Sequence, residues 1–262
     1  MDAPPDPWLS IVVPTLNEGA ALPCVVGDLR PLLGEGGVEL IVADGGSEDD
    51  TTAVARSLGA CVATAGRGRG RQLRAGVAAA KAPVLWILHA DVRVPPSTLH
   101  AVADAARGPL PAPLACRLAI DSARVSLRCI AFGANLRSRC LALPYGDQGL
   151  LVRRAHLDAV GGFDDVPLME DVALALRLRR VAPIRLLPHP LVVSARRWER
   201  DGPWRRSWRN VTLLVRYLRG ADPAELVLAY ERGTSPVATR ALQVRQSSSV
   251  SMSESISSSR TE

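Results

Sequence analysis

The sequence predicts an α/β fold with a mostly parallel central sheet flanked by helices, and three observations carry that prediction. Short runs of Val, Leu and Ile alternate with helical stretches along the first hundred residues. Two of the runs, 38–42 and 84–88, are too short for helices and apolar throughout, as strands buried on both faces are. Each closes on an acidic motif, Ala43-Asp44-Gly45-Gly46-Ser47 or His89-Ala90-Asp91-Val92-Arg93. Strands that alternate with helices of this length form βαβ units, and such sheets bind ligands outside the carboxyl ends of their strands. Asp44 and Asp91 therefore point at one crevice, and a third acidic motif, Met169-Glu170-Asp171, can join them from a later helix.

The elements follow in order. Residues 9–13 read as the first strand and 20–33 as a helix broken early by Pro23. The strand 38–42 leads to a helix at 48–58 with Ser47 as its N-cap. A short strand at 61–64, an alanine-rich helix at 69–80, the strand 84–88 and a helix at 95–106 opened by proline complete this half. The pattern changes after Gly108. A strand at 114–120 precedes a helix at 122–141, whose stripe of Val125, Cys129, Phe132 and Leu136 is expected to face the core. After the loop 144–149, a helix begins at Glu170, and two short strands are expected at 184–187 and 191–194.

A last helix, 203–219, places Trp204, Trp208, Val211, Val215 and Leu218 on one stripe with arginines beside it. Such a helix packs on its own domain or lies in a membrane interface, where anionic lipid would attract it. The expected organisation is a flexible lead at 1–8, one domain at 9–232 and a disordered tail at 233–262. Within the domain, the change of pattern after Gly108 divides the chain into halves of 9–108 and 109–232. Nine of the sixteen residues from Ser247 onward are serine, too polar to bury a core.

Composition narrows the function. A chain of 262 residues with 47% hydrophobic content supports a sizeable core. The net charge is +6, and Lys81 is the single lysine among 32 basic residues. Guanidinium forks suit phosphates and acidic surfaces, while an excess of Arg and Ala is also what a GC-rich genome produces. The five cysteines are scattered with no C-x-x-C spacing, which indicates neither a zinc site nor a disulfide framework. No stretch reads as a signal peptide or a spanning helix, so a cytoplasmic location is expected.

The segment Ser10-Ile11-Val12-Val13-Pro14-Thr15-Leu16-Asn17-Glu18, followed by the Asp44-Gly45-Gly46-Ser47 turn, resembles the start of a family 2 glycosyltransferase with the GT-A fold. Arg67-Gly68-Arg69-Gly70-Arg71-Gln72, His89-Ala90-Asp91, Pro144-Tyr145-Gly146-Asp147-Gln148, Pro167-Leu168-Met169-Glu170-Asp171 and Ser194-Ala195-Arg196-Arg197-Trp198 are similar to motifs of one bacterial branch of that family. The resemblance runs from about Leu9 to Glu231 and is silent on the particular sugar.

It implies a nucleotide-sugar donor, usually a UDP-sugar, bound with a divalent cation, Mg²⁺ or Mn²⁺. By this likeness the donor is held by Pro14, Thr15, Asn17, Glu18, Asp44, Gly45, Gly46, Ser47, Arg67, Arg71, Gln72, Ala90, Asp91, Arg196 and Arg197. Asp44 takes the uracil edge, and the Arg67 to Arg71 loop ahead of a helix offers N–H groups and guanidinium forks to the diphosphate. The family usually has Asn where Arg74 stands. Asp91 matches the last aspartate of the family's Asp-x-Asp metal motif, with His89 in the first position as a weaker candidate that would suit Mn²⁺.

The likeness makes Asp171 the general base for an inverting transfer, with Glu170 beside it in the first turn of a helix whose dipole favours negative charge. Tyr145, Asp147, Gln148 and Trp198 fall on the acceptor side. The acceptor is unidentified, and lipid-linked if helix 203–219 touches membrane. Two other classes compete. A sugar nucleotidyltransferase needs a glycine-rich phosphate loop where Pro14 to Glu18 stand. A non-catalytic basic membrane or nucleic-acid module leaves three converging acidic motifs unexplained, because carboxylates repel phosphate unless a metal intervenes. Nucleic acid is therefore not an expected partner.

Overall fold

The computed structural model describes residues 6–232. The expected tail at 233–262 and most of the lead at 1–8 lie outside the described residues. The elements run β1 (Leu9–Thr15), α1 (Leu22–Leu33), β2 (Val38–Asp44), α2 (Thr51–Ser57), β3 (Cys61–Thr64), α3 (Arg69–Ala79), β4 (Val84–Ile87), β5 (Val92–Arg93) and α4 (Pro96–Arg107). There follow β6 (Leu114–Asp121), α5 (Val125–Leu141), a 3-10 turn (Gly146–Gln148), β7 (Leu150–Arg153), α6 (Arg154–Ala159), α7 (Glu170–Val181), β8 (Arg185–Ser194), α8 (Arg196–Asp201), α9 (Pro203–Leu218) and α10 (Pro223–Arg232).

One sheet of eight strands has the order β3-β2-β1-β4-β7-β6-β8-β5. Only β7 and β5 run against the rest, so the sheet is mostly parallel, as the apolar runs imply. β1 and β4 are apolar on both faces because helices cover both, and Ile11, Leu85 and Trp86 are fully buried. One core layer, with α1 and α4, packs on one side of the sheet. Leu73 of α3 and Leu174 and Leu178 of α7 pack on the other. The chain forms two compact units, the first ending at Trp204 and the second beginning at Arg205. β4 pairs with β7 across the junction of the two expected halves.

Three expectations are corrected. The helix expected from Glu48 starts at Thr51, and Ser47 does not cap it. Its hydroxyl bonds the Asp44 carboxylate instead. The two strands expected at 184–187 and 191–194 are one strand, β8, which runs through Pro188 and Pro190. Its register against β6 jumps between Ala115 and Arg117, and this bulge accommodates prolines that cannot donate to a ladder.

The third correction concerns α5. Its buried residues are Leu127, Ala131, Asn135 and Ser138, while Val125, Phe132 and Leu136 face solvent. The inner face turns polar at Asn135 and Ser138, where the helix binds the sheet by hydrogen bonds. Asn135 accepts the Leu118 N–H at 2.7 Å and donates to the Leu118 carbonyl at 2.9 Å. Hydrophobic periodicity alone cannot reveal a helix held to a strand by amides. On α9, Trp208 is 75% exposed.

Candidate active site

Sheet order builds the site. β2, β1 and β4 are parallel neighbours, so the loops after them, carrying Asp44, Asn17 with Glu18, and His89 with Asp91, meet along one edge. β7 is antiparallel to β4 with Leu150 opposite Ile87, which sets the Gly146–Gln148 turn beside His89 and Asp91. β5 pairs with the end of β8, Val92 opposite Val193, so Arg196 and Arg197 emerge next to Asp91.

The loops after β1 and β2 interlock. Asn17 adopts a left-handed φ of 56°, donates its N–H to Ser47 Oγ at 2.9 Å and accepts the Glu48 N–H at 2.9 Å. Glu18 donates its N–H to Thr51 Oγ1 at 2.9 Å. Asp44 is 2% exposed, and its Oδ2 accepts the N–H groups of Gly46 and Ser47, both at 3.0 Å. Gln72 lies beneath, and its amide donates to the Thr15 carbonyl. Thr15, Gly45 and Ala90 are buried with it, Pro14 is half-buried, and together they form the platform under the loops.

The acidic centre lies beside that platform. Asp91 pairs with Arg197 at 2.8 Å, and the Asp91 side chain remains 35% exposed. Burial raises the Glu18 pKa, and the Asp91 charge adds to it against Arg197 and Arg69. Burial also pushes Asp147 up to about 6, with Asp171 and Asp91 adding to the shift and Arg137 opposing it. Asp147 Oδ1 is sealed from solvent and has no hydrogen-bond partner.

Glu170, 3% exposed, is raised by burial and by the Asp171 charge, and Arg69 stands 3.6 Å from it. Asp171 accepts the Gly146 N–H at 2.8 Å and the Val172 N–H at 2.7 Å, which aim its carboxylate at the turn before β7. A recess with an apolar floor, including Leu73, Ile87, Phe163 and Leu174, opens between Arg69, Tyr145, Glu170 and Asp171. Gly161 and Gly162, with φ of 77° and 70°, make the turn that delivers Phe163 to that floor.

Several expected contacts fall elsewhere. Burial, and then the charges of Arg69 and Arg197, hold the His89 imidazole well below its usual pKa. It packs against Gly146, where an added Cβ would collide with its Nε2. His89 thus supports the turn. Gln148 is fully buried, accepting from Ser138 Oγ at 2.6 Å and donating to the Cys116 carbonyl at 3.1 Å. Trp198 belongs to the core. Both side chains are buried, so neither faces the cleft. Arg71 is paired with Asp165 at 2.7 Å, while Arg67 and Arg196 stand exposed.

Two arginines were missed as site residues. Arg69 lies by Glu170, and Arg137 stacks 3.5 Å over the Tyr145 ring. The middle position of the Arg67 to Arg71 motif was the available signal for the first. Nothing in the sequence marks the second.

Two predictions arise here. Gly70 opens α3 against the 164–166 segment, and an added Cβ would collide with the Asp164 backbone carbonyl. Gly70→Ala should cost about 1–3 kcal/mol, read as a Tm lower by several degrees; an unchanged Tm contradicts this packing. The second concerns pH. Because the Asp147 pKa is raised in the fold, the native state holds a proton that the unfolded chain loses near its ordinary value. Stability from this group is whole below about pH 4, falls as pH rises towards 6, and stays reduced above that. In metal-free protein Asp147→Asn should therefore gain about 2–3 kcal/mol over wild type at pH 8 and nothing at pH 4. Thermal melts across that range check it, and a pH-independent difference refutes it.

An open sheet of this order, with its acidic centre at the carboxyl edge, defines the GT-A class of nucleotide-sugar transferase fold. A mannosyltransferase from Pyrobaculum calidifontis, solved with GDP-mannose and Mn²⁺, superposes with a TM-score of 0.62 at 18% identity, over 87% of this chain and 71% of that one. Glucosyl-3-phosphoglycerate synthase from Mycobacterium tuberculosis, solved with Mn²⁺, UDP and glucosyl-3-phosphoglycerate, gives a TM-score of 0.53 at 22% identity, over 71% and 70%. Residues 10–125 match the family model described as Glycosyl transferase family 2. Uncharacterised glycosyltransferases of Mycobacterium bovis and Mycobacterium tuberculosis are 37% identical over 84 residues. That match spans 32% of this chain and about a third, 36%, of theirs.

Proposed function

We propose that this chain moves a sugar from a nucleoside diphosphate sugar, a UDP-sugar by family likeness, to an acceptor hydroxyl with inversion. The observation that carries the reading is the convergence of Asp91, Asp147 and Asp171 with Arg69 and Arg197 at one sheet edge. The donor lies on the platform of Asp44, Asn17 and Ser47, with its diphosphate towards Asp91, Arg197 and Arg69. Its sugar reaches the recess before Asp171. Asp171 Oδ accepts the acceptor's hydroxyl proton as that oxygen attacks the anomeric carbon from the face opposite the diphosphate. Glu170 positions Arg69, and both arginines draw the charge that builds on the departing diphosphate.

The residues fit a divalent cation, Mg²⁺ or Mn²⁺. Carboxylates here raise one another's proton affinity, and Asp147 Oδ1 is an orphaned oxygen, so the cleft has surplus negative charge. No group of three or more His, Cys, Asp or Glu side chains with metal-site geometry occurs among the described residues. One carboxylate, Asp91, would therefore hold the ion together with diphosphate oxygens and water, the arrangement Mg²⁺ prefers. The ion supplies charge neutralisation at the leaving group.

No described helix is long and apolar enough to cross a membrane. The exposed Trp and Arg residues of 203–218 support peripheral contact with anionic lipid at the inner face of the cell membrane, and with it a lipid-linked acceptor. Incubation with labelled UDP- and GDP-sugars and Mn²⁺ tests the transfer reading. Metal-dependent release of labelled sugar is expected, and absence of any nucleotide binding overturns it.

A further inference from the structure

The outer face of α5 is apolar and basic. No carboxylate occurs between Arg124 and Leu141. Arginines on that face alternate with large apolar side chains, of which Val125 is 72% and Phe132 67% exposed. A groove of about 880 Å³ runs beside the helix, floored by Phe132, Leu136 and Leu141. Its rim carries Arg117, Arg139, Arg179 and Arg185, and no acidic residue lines it. Among the described residues none of these four arginines forms an ion pair. Arg179 donates to the Leu141 carbonyl at 3.1 Å, which leaves its charge unmatched.

Exposed apolar area costs about 25 cal/mol per Å², and clustered like charges repel. One kind of surface relieves both, an array of anionic phosphates above hydrocarbon. A second copy of this chain does not, because a self-complementary contact through this face would set arginine against arginine. We propose that the α5 face docks on a bilayer containing anionic lipid. Val125, Phe132, Leu136 and Leu141 enter the acyl boundary, and the flanking arginines meet headgroup phosphates. The proposal stands without the transfer reaction and without the 203–218 helix.

The chain carries its own probes. Cys129 and Cys140 are exposed on α5, while exposed Cys61 lies on β3 at the other end of the strand order and serves as reference. Mass spectrometry follows thiol alkylation of the full chain with and without vesicles of phosphatidylglycerol and phosphatidylcholine. Anionic vesicles should slow alkylation of Cys129 and Cys140 about tenfold and leave Cys61 unchanged. The double variant Phe132→Asp, Leu136→Asp should lose vesicle co-sedimentation about tenfold while turning over donor normally in vesicle-free buffer. Its substitutions are at exposed positions, so a retained Tm is expected. The proposal is overturned by unprotected cysteines, or by equal protection with phosphatidylcholine alone. It also falls if protection grows with protein concentration in the absence of vesicles, or if binding is lost in Trp204→Ser, Trp208→Ser but kept in the α5 variant.

Discussion

Asp171→Asn should lower transfer by about 10³-fold in kcat, within the 10²–10⁴ range that a positioned base contributes. Asparagine keeps the shape of the side chain, and its single amide oxygen can accept one of the Gly146 and Val172 N–H groups that the two carboxylate oxygens accept in wild type. It cannot take a proton. Donor affinity should therefore stay near wild type and Tm fall by only a few degrees while product formation collapses, which separates lost chemistry from lost structure. Glu170→Gln is the comparison. Glu170 is buried under Arg69, so its loss should raise the donor KM through a displaced guanidinium more than it lowers kcat. If Asp171→Asn retains wild-type kcat, or Glu170→Gln is the more damaging to kcat, the base is misassigned.

Asp91→Ala should abolish the strengthening of donor binding by Mn²⁺, with a loss of at least about 100-fold in metal-dependent affinity, the upper end of what outer-shell changes cost. The physical argument is charge. In wild type the Asp91 carboxylate answers Arg197 at 2.8 Å, and it can exchange that partner for a cation and diphosphate. In the variant Arg197 is unneutralised, so nucleotide binding without metal should strengthen even as the metal effect vanishes. Calorimetric titration of UDP with and without Mn²⁺ reads both signs. Equal enhancement by Mn²⁺ in the variant and wild type would remove Asp91 from the metal.

The first half of the fold was legible because its strands are buried on both faces and bounded by turns. The helix at Glu170 was legible because acids at a first turn mark a start. Beyond Gly108 the signal failed where tertiary bonds replace burial. Asn135 binds β6 through its amide, so the apolar stripe on α5 turns outward. β8 accepts two prolines because a bulge relieves the ladder, so a break in the sequence is no break in the strand. β5 and β7 were missed because each is very short and defined by the strand it meets.

The sequence by itself determined the chemical inventory: carboxylates at the ends of apolar strands, a glycine- and arginine-rich helix start, and acids at Glu170 and Asp171. Local pattern suffices for this, because strand burial and helix capping depend on near neighbours. Only the tertiary structure decided which side chains share a space. Antiparallel β7 carries Asp147 to Asp91, the β5–β8 pair carries Arg197 there, and a close approach to Gly146 turns His89 into a support. Those meetings join residues far apart in the chain, and strand pairing at long range, which no local period encodes, is what sets them.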